Sequence, residues 1–185
     1  MRCYFLICFL LLCAPAQAYE ACEDLWFSRN QIMDRAGYCF SSMLGQTLFD
    51  NSNCTGQQVN LAPVDANAVT ELRALEARIG CRVDTSRQWI NLSDINFRRV
   101  LTNSPVLDEL QGKCLRWLGP VTPLYAGHQE PFVAIGQIQA GDGVGLNHLP
   151  VGDWAYVTAH YPGSDGLKSA GWLYWPDRFP CSEMI

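Results

Sequence analysis

LWFSRNQIMDRAGYCF, residues 25–40, is the stretch whose reading decides the fold. Leu25, Ile32 and Ala36 recur at helical spacing, with Trp26 and Met33 beside them. Gly37 stands where a left-handed cap residue ends a helix. Yet Arg29 and Asn30 fall on the apolar side. A catalytic pair there would need a free Ser, His or Cys beside it, and the sequence offers none. The alternative is a structural polar clamp. Asn30 can hydrogen-bond loop backbone on two sides. Arg29 can tie its guanidinium to a carboxylate or to helix-end carbonyls while its stem packs in the core. The clamp is favoured, because a small helical domain with long loops has buried polar backbone to satisfy.

Upstream of this helix the chain has the marks of an export signal. Arg2 precedes an unbroken apolar run, Tyr4 to Cys13, and Ala16-Gln17-Ala18 is a small-x-small cleavage pattern. The run is too short to span a bilayer as a helix. Residues 1–18 are therefore expected to be removed, giving a periplasmic or secreted protein that starts at Tyr19. A lipid anchor on Cys13 is disfavoured by Leu12, where such a signal wants a small residue. Three of the nine cysteines leave with the signal. The six that remain, Cys22, Cys39, Cys54, Cys81, Cys114 and Cys181, read as three disulfides in an oxidising compartment.

Downstream, two further helices are expected, one near Ser42 to Phe49 and one through Ala68, Leu72, Leu75 and Ile79. The second has Asp65 as N-cap and Gly80 as terminator. Residues 85–112 read as a linker of two short helices, the later one with Pro105 at its first position and Gly112 after its end. At Cys114 the helical period stops. TPLYAG, VAIGQI, WAYVTAHY and SAGWLYW are short β-branched and aromatic runs separated by glycines and prolines. The fold class is α+β: a disulfide-braced helical part over residues 19–84, the linker, and a small β-barrel over residues 113–185.

The cysteines can be placed on this scheme. Cys22 precedes the first helix and Cys81 follows the third. Cys39 and Cys54 bracket the second. Cys114 opens the β half and Cys181 closes it. The expected set is Cys22–Cys81, Cys39–Cys54 and Cys114–Cys181. The first four could exchange partners, since four cysteines allow three connectivities.

Two family resemblances rest on these segments. CEDLWFSRNQIMDRAGYCFSSMLGQTLFDNSNC with the helix ending in ARIGC resembles the YARHG domain of secreted bacterial proteins, over residues 19–84. Its matching points include Leu25-Trp26, Arg29-Asn30, Arg35 and Gly37-Tyr38. The naming stretch here reads Met33-Asp34-Arg35-Ala36-Gly37, so the histidine is absent. GPVTPLYAG, GDWAYV and AGWLYW resemble a bacterial SH3-like domain, over residues 119–175. The first likeness implies no activity. The second implies binding to cell-wall or peptide ligands, as an analogy of fold.

Charge and motifs narrow the chemistry. Thirteen basic side chains face eighteen acidic ones, with no basic run, which argues against nucleic acid. No second apolar segment could cross a membrane. His128, His148 and His160 match no metal-ligand spacing, and no cofactor is expected. Asp34, Asp50, Asp142 and Asp153 are available as acids, but nothing in the sequence pairs them. The best ligand signal is aromatic. Tyr125, Trp154, Tyr156, Trp172 and Tyr174 could form a platform if their strand faces lie outside, or core if they lie inside. The expectation is a non-catalytic binding protein of the periplasm or cell envelope, contacting a wall component or an envelope protein. The alternatives are a small envelope hydrolase and a scaffold without a small ligand.

Overall fold

The computed structural model describes residues 16–177 and 179–185. The apolar run Tyr4–Cys13 lies outside the described residues, and Ala16–Ala18 form the start of the first helix. The helices are α1 (Ala16–Arg35), α2 (Met43–Leu48), α3 (Pro63–Arg78) and the single turn α4 (Ile95–Arg98). The strands are β1 (Leu107–Cys114), β2 (Thr122–Tyr125), β3 (Ala134–Ile138), β4 (Gly143–His148), β5 (Trp154–His160) and β6 (Leu167–Tyr174). The architecture is α+β.

Helix α1 is the centre of the helical part. Leu25 and Ile32 pack against Val69, Leu72 and Leu75 of α3. Trp26 and Phe27 face another way, onto Phe40, Leu44, Leu48 and Phe49. A helix apolar on two sides is one that neighbours enclose. Gly37, at φ 84°, turns the chain out of α1, and its carbonyl accepts the Thr55 N–H at 2.7 Å. Cys22–Cys81 joins the start of α1 to the end of α3, and Cys39–Cys54 spans α2. Helix α3 begins earlier than its apolar period implies. Ala62 is the N-cap and Pro63 the first helical residue, so Asp65 sits in the first turn instead of capping it. Proline at that position already has helical φ and lacks only an N–H that would be unpaired.

The linker differs from expectation. Its first half contains α4 alone. Its second half, from Leu107, is a strand. SPVLDELQG has helix-like punctuation at Pro105 and Gly112, but β1 pairs antiparallel with β4, and that pairing overrides local preference. The sheet therefore begins before residue 113.

The six strands form one antiparallel sheet in the order β1-β4-β5-β6-β2-β3. Its two end strands do not pair with each other, so the sheet is open where the sequence pattern led us to expect a barrel. One face packs Val144, Val157, Leu173 and Ile138 around the fully buried Trp117 and Cys114. Cys114–Cys181 closes this side, and residues 183–185 hydrogen-bond along the start of the following loop and the end of β1. The other face carries Tyr156, Ala170 and Trp172, and Leu101 covers them with Phe97 of α4 at its side. The linker thus lies across the middle of a sheet face.

Candidate functional site

Register places the aromatic candidates. Trp154 sits opposite Tyr174, Tyr156 opposite Trp172, and Trp172 opposite Tyr125, all on the face that meets the linker. Tyr156 and Trp172 lie under it, at 0% and 1% exposure. Trp172 donates its indole N–H to the Asn103 carbonyl at 2.9 Å, and the His128 ring packs 4.6 Å away. These two are interior groups and leave the candidate platform, because the linker occupies the space above them. His128, packed in this way, has its pKa lowered by burial.

The remaining three gather at the open end of the same face. Trp154 is the hub: its ring centroid lies 5.8 Å from Tyr125, 5.1 Å from Tyr174 and 5.2 Å from Phe132. Phe132 stacks on Trp154 at an interplanar angle of 24°. Phe132 and Tyr174 stay 47% and 48% exposed, with exposed Val133 and Val151 nearby in sequence. Phe132 was not legible as a site residue. It sits in the loop before β3, and nothing in the local pattern sends it back to β5.

A second assembly lies at the junction of helices, linker and sheet. Arg98 is buried, and each of its three nitrogens has a partner. Its Nε donates to Asp94 Oδ2 at 2.9 Å. Nη1 donates to Asp24 Oδ1 and Ser28 Oγ, each at 3.0 Å. Nη2 binds Asp24 Oδ2 and lies 2.7 Å from His148 Nε2. Tyr156 donates its hydroxyl to Asp94 Oδ2 at 2.7 Å. Burial by itself would raise the Asp24 carboxyl, but Arg98 and His148 outweigh it and hold the group well below the usual carboxylate range. Burial, and then the Asp94 charge, push the Tyr156 hydroxyl well above its ordinary value.

This cluster explains the polar residues on α1. Gln31 donates to the Arg98 carbonyl and accepts from Ser104. Arg35 donates to the Leu101 carbonyl at 2.6 Å, and Glu23 receives Arg87 and the Asn91 N–H. Together with Asp24 and Ser28 they grip residues 87–104. Arg29 and Asn30 do not reach the linker: Arg29 ties α1 to α3 through Glu76 at 3.1 Å, and Asn30, expected to hold loop backbone, instead donates to the Trp26 carbonyl of its own helix at 2.8 Å.

Ser28 gives no nucleophile to this cluster, since its hydroxyl meets Asp24 and Arg98, not the histidine. The other acids stand apart from this cluster. Asp142 is buried against Lys168 at 2.9 Å. Asp34 is raised by burial and then by Asp50, whose carboxylate is held by the Ser52 N–H and hydroxyl at 2.8 Å each. His160 lies on β5 between Thr158 and the Asp165 carbonyl, and lines a common cleft with His148.

Fold and site together define a disulfide-braced α+β protein in which a helical part is riveted to an open sheet through a buried charge cluster. Residues 80–185 match the family model described as a domain of unknown function (DUF4453), and residues 11–77 match that of the YARHG domain. The first match covers more than half of the chain, which therefore belongs to the DUF4453 family. The C-terminal region is that domain; the SH3-like resemblance is not among the family matches. No curated protein matches the chain, and no solved structure does.

Proposed function

We propose that this chain is a non-catalytic, exported binding protein of the cell envelope, and that the surface formed by Tyr125, Phe132, Trp154 and Tyr174 takes up a polysaccharide strand of the wall. The observation that carries this reading is the partly exposed ring cluster on paired strands. An aromatic ring offers an apolar face with a polar edge for Tyr and Trp, which matches the C–H face and hydroxyl rim of a sugar ring. Rings fixed by a sheet lose little freedom on binding. In this reading the open sheet is used as SH3-like domains of exported proteins use theirs. Three disulfides and the YARHG match support export. The non-catalytic part is supported by the charge cluster, whose members bind one another.

Sedimentation with purified peptidoglycan tests this. The wild-type protein is expected in the pellet. Trp154→Ala, and the pair Phe132→Ala with Tyr174→Ala, are expected to weaken retention about tenfold or more, as loss of a central aromatic anchor does. A wild-type protein that stays in the supernatant, or a double variant that still pellets, overturns the proposal. Release of soluble sugar from the wall would replace it with the hydrolase reading.

A further inference from the structure

The charge cluster has a second side. A cleft of about 260 Å3 opens over it, with Asp24, Asp94, Arg98 and His148 at its inner wall and Glu20 at its helical margin. Gln111, Asn147, Thr158 and His160 line it on the sheet side, and the same four continue into a neighbouring groove of about 400 Å3 over Gly112 and Gly145. The first volume is near the lower end for small-molecule sites, roughly 300–1,000 Å3. The aromatic surface lies at the other end of the sheet face, beyond the linker.

The hydrogen-bond inventory of this cleft is one-sided. The Arg98 guanidinium is paired with both buried carboxylates, Asp24 and Asp94, and also donates to Ser28. Asp94, only 3% exposed, uses Oδ2 for both Arg98 and Tyr156, while its Oδ1 has no hydrogen-bond partner. A buried carboxylate oxygen left without a donor is unfavourable. The sheet wall points the same way. His160 Nδ1 lies 3.1 Å from the Asp165 carbonyl, so that nitrogen carries the proton. In the neutral ring Nε2 then accepts from the Thr158 hydroxyl at 3.1 Å, leaving the Thr158 oxygen as an acceptor toward the groove. The side chains of Gln111 and Asn147 make no hydrogen bond among the described residues and can serve as either partner. Gly145 keeps the floor open, since a Cβ there would stand 2.5 Å from Thr158 Oγ1.

We infer that this cleft binds an alkylammonium group carried on a neutral, hydroxyl- or amide-rich body, with the ammonium against Asp94 and the body along Asn147, Thr158 and Gln111. An ammonium brings three donors and a positive charge to a wall on which the carboxylates of Glu20, Asp24 and Asp94 outnumber the one guanidinium. A phosphate or carboxylate would meet those carboxylates and a guanidinium already paired with two of them. The chemistry has two common sources, an amino sugar and the amino end of a peptide.

Isothermal calorimetry and amide chemical-shift mapping on the intact chain at neutral pH, with glucosamine and glycylglycine as probes, test the inference. N-acetylglucosamine and N-acetyl-glycylglycine are the acylated controls. At least one free amine is expected to bind, with shifts centred on residues 111, 147 and 158, and its acylated control about tenfold or more weaker. The preferred amine identifies the source. Asn147→Leu is expected to weaken binding severalfold and Gly145→Val to abolish it. Should Gly145→Val fail to fold, Asn147→Leu still decides. Equal affinity for free and acylated probes overturns the inference, as does binding insensitive to Asn147→Leu, or no shift at these residues at tens of millimolar probe.

Discussion

Replacing Arg98 by methionine keeps most of the side-chain volume and removes the one cation that Asp24 and Asp94 share. Stranding buried carboxylates in this way is expected to lower stability by about 3–5 kcal/mol. Urea titration of Arg98→Met should therefore show an earlier midpoint with little change in slope. The same cluster limits stability at both ends of the pH scale. Asp24 has its folded value depressed below the usual 3.8. Its contribution is complete above that value and is lost as pH falls toward the folded one. Tyr156 has its folded value raised above the usual 10.0, so its contribution is present below that pH and lost as pH rises through the folded value. Thermal melts across pH should fall off in acid and in alkali, and Tyr156→Phe should soften the alkaline limb alone. Asn30→Ala should cost about 1–3 kcal/mol, the usual range for disturbing a buried hydrogen bond; an unchanged melt would remove Asn30 from the structural account. Of the polar positions of α1, Arg29 and Asn30 were visible in the sequence as exceptions to its period, whereas Glu23, Asp24, Ser28 and Gln31, which hold the linker, were not. Residues 87–104 have no periodicity that would aim them at one helix.

At the level of elements, what was legible followed from local rules. Helices α1 and α3 show in apolar spacing, and Gly37 and Gly80 show as terminators at φ 84° and 71°. The disulfides in the structure join the same cysteines that bracket these helices and the β half. Strands β5 and β6 show in their alternating aromatics. Strand β1 was hidden by Pro105 and Gly112, which punctuate helices as readily as strands. Strand β4 was hidden by Gly143 and Gly145, which read as a turn although they lie mid-sheet opposite His160 and Thr158. Strands β2 and β6 touch through one paired position, Tyr125 and Trp172, and Gly171 beside it makes the approach possible. A Cβ at Gly171 would stand 3.0 Å from Leu124 Cβ and from the Tyr125 carbonyl oxygen. Gly171→Ala is expected to destabilise by about 1–3 kcal/mol through overpacking, measurable as a lowered melting temperature. It should also disturb the near-ultraviolet circular dichroism of Trp172.

For the whole molecule, export and bracing make joint predictions. N-terminal sequencing of protein recovered from outside the cytoplasm should begin at Tyr19; a lipid-modified Cys13 would overturn that. Each disulfide is expected to contribute about 2–4 kcal/mol, so reduction should lower the denaturation midpoint of helical and sheet signals together. Separate transitions would mean that the two parts are not coupled through Arg98. The division of the chain was less legible than its pieces. Sequence pattern set the β half apart at residue 113, whereas the structure begins the sheet at Leu107 and lays the linker on it.

The Asp24–Arg98 pair joins one family segment to the other: Asp24 lies within residues 11–77 and Arg98 within residues 80–185. This has a genetic consequence. A recombination event that moved the DUF4453 segment behind a different leader would carry Arg98 with Asp94 but without the Asp24 carboxylate that takes its Nη1 and Nη2. The two segments are thus tied as an inheritance unit, and a chimaera lacking Asp24 should be rescued by a new neighbour that supplies an acid at the same depth.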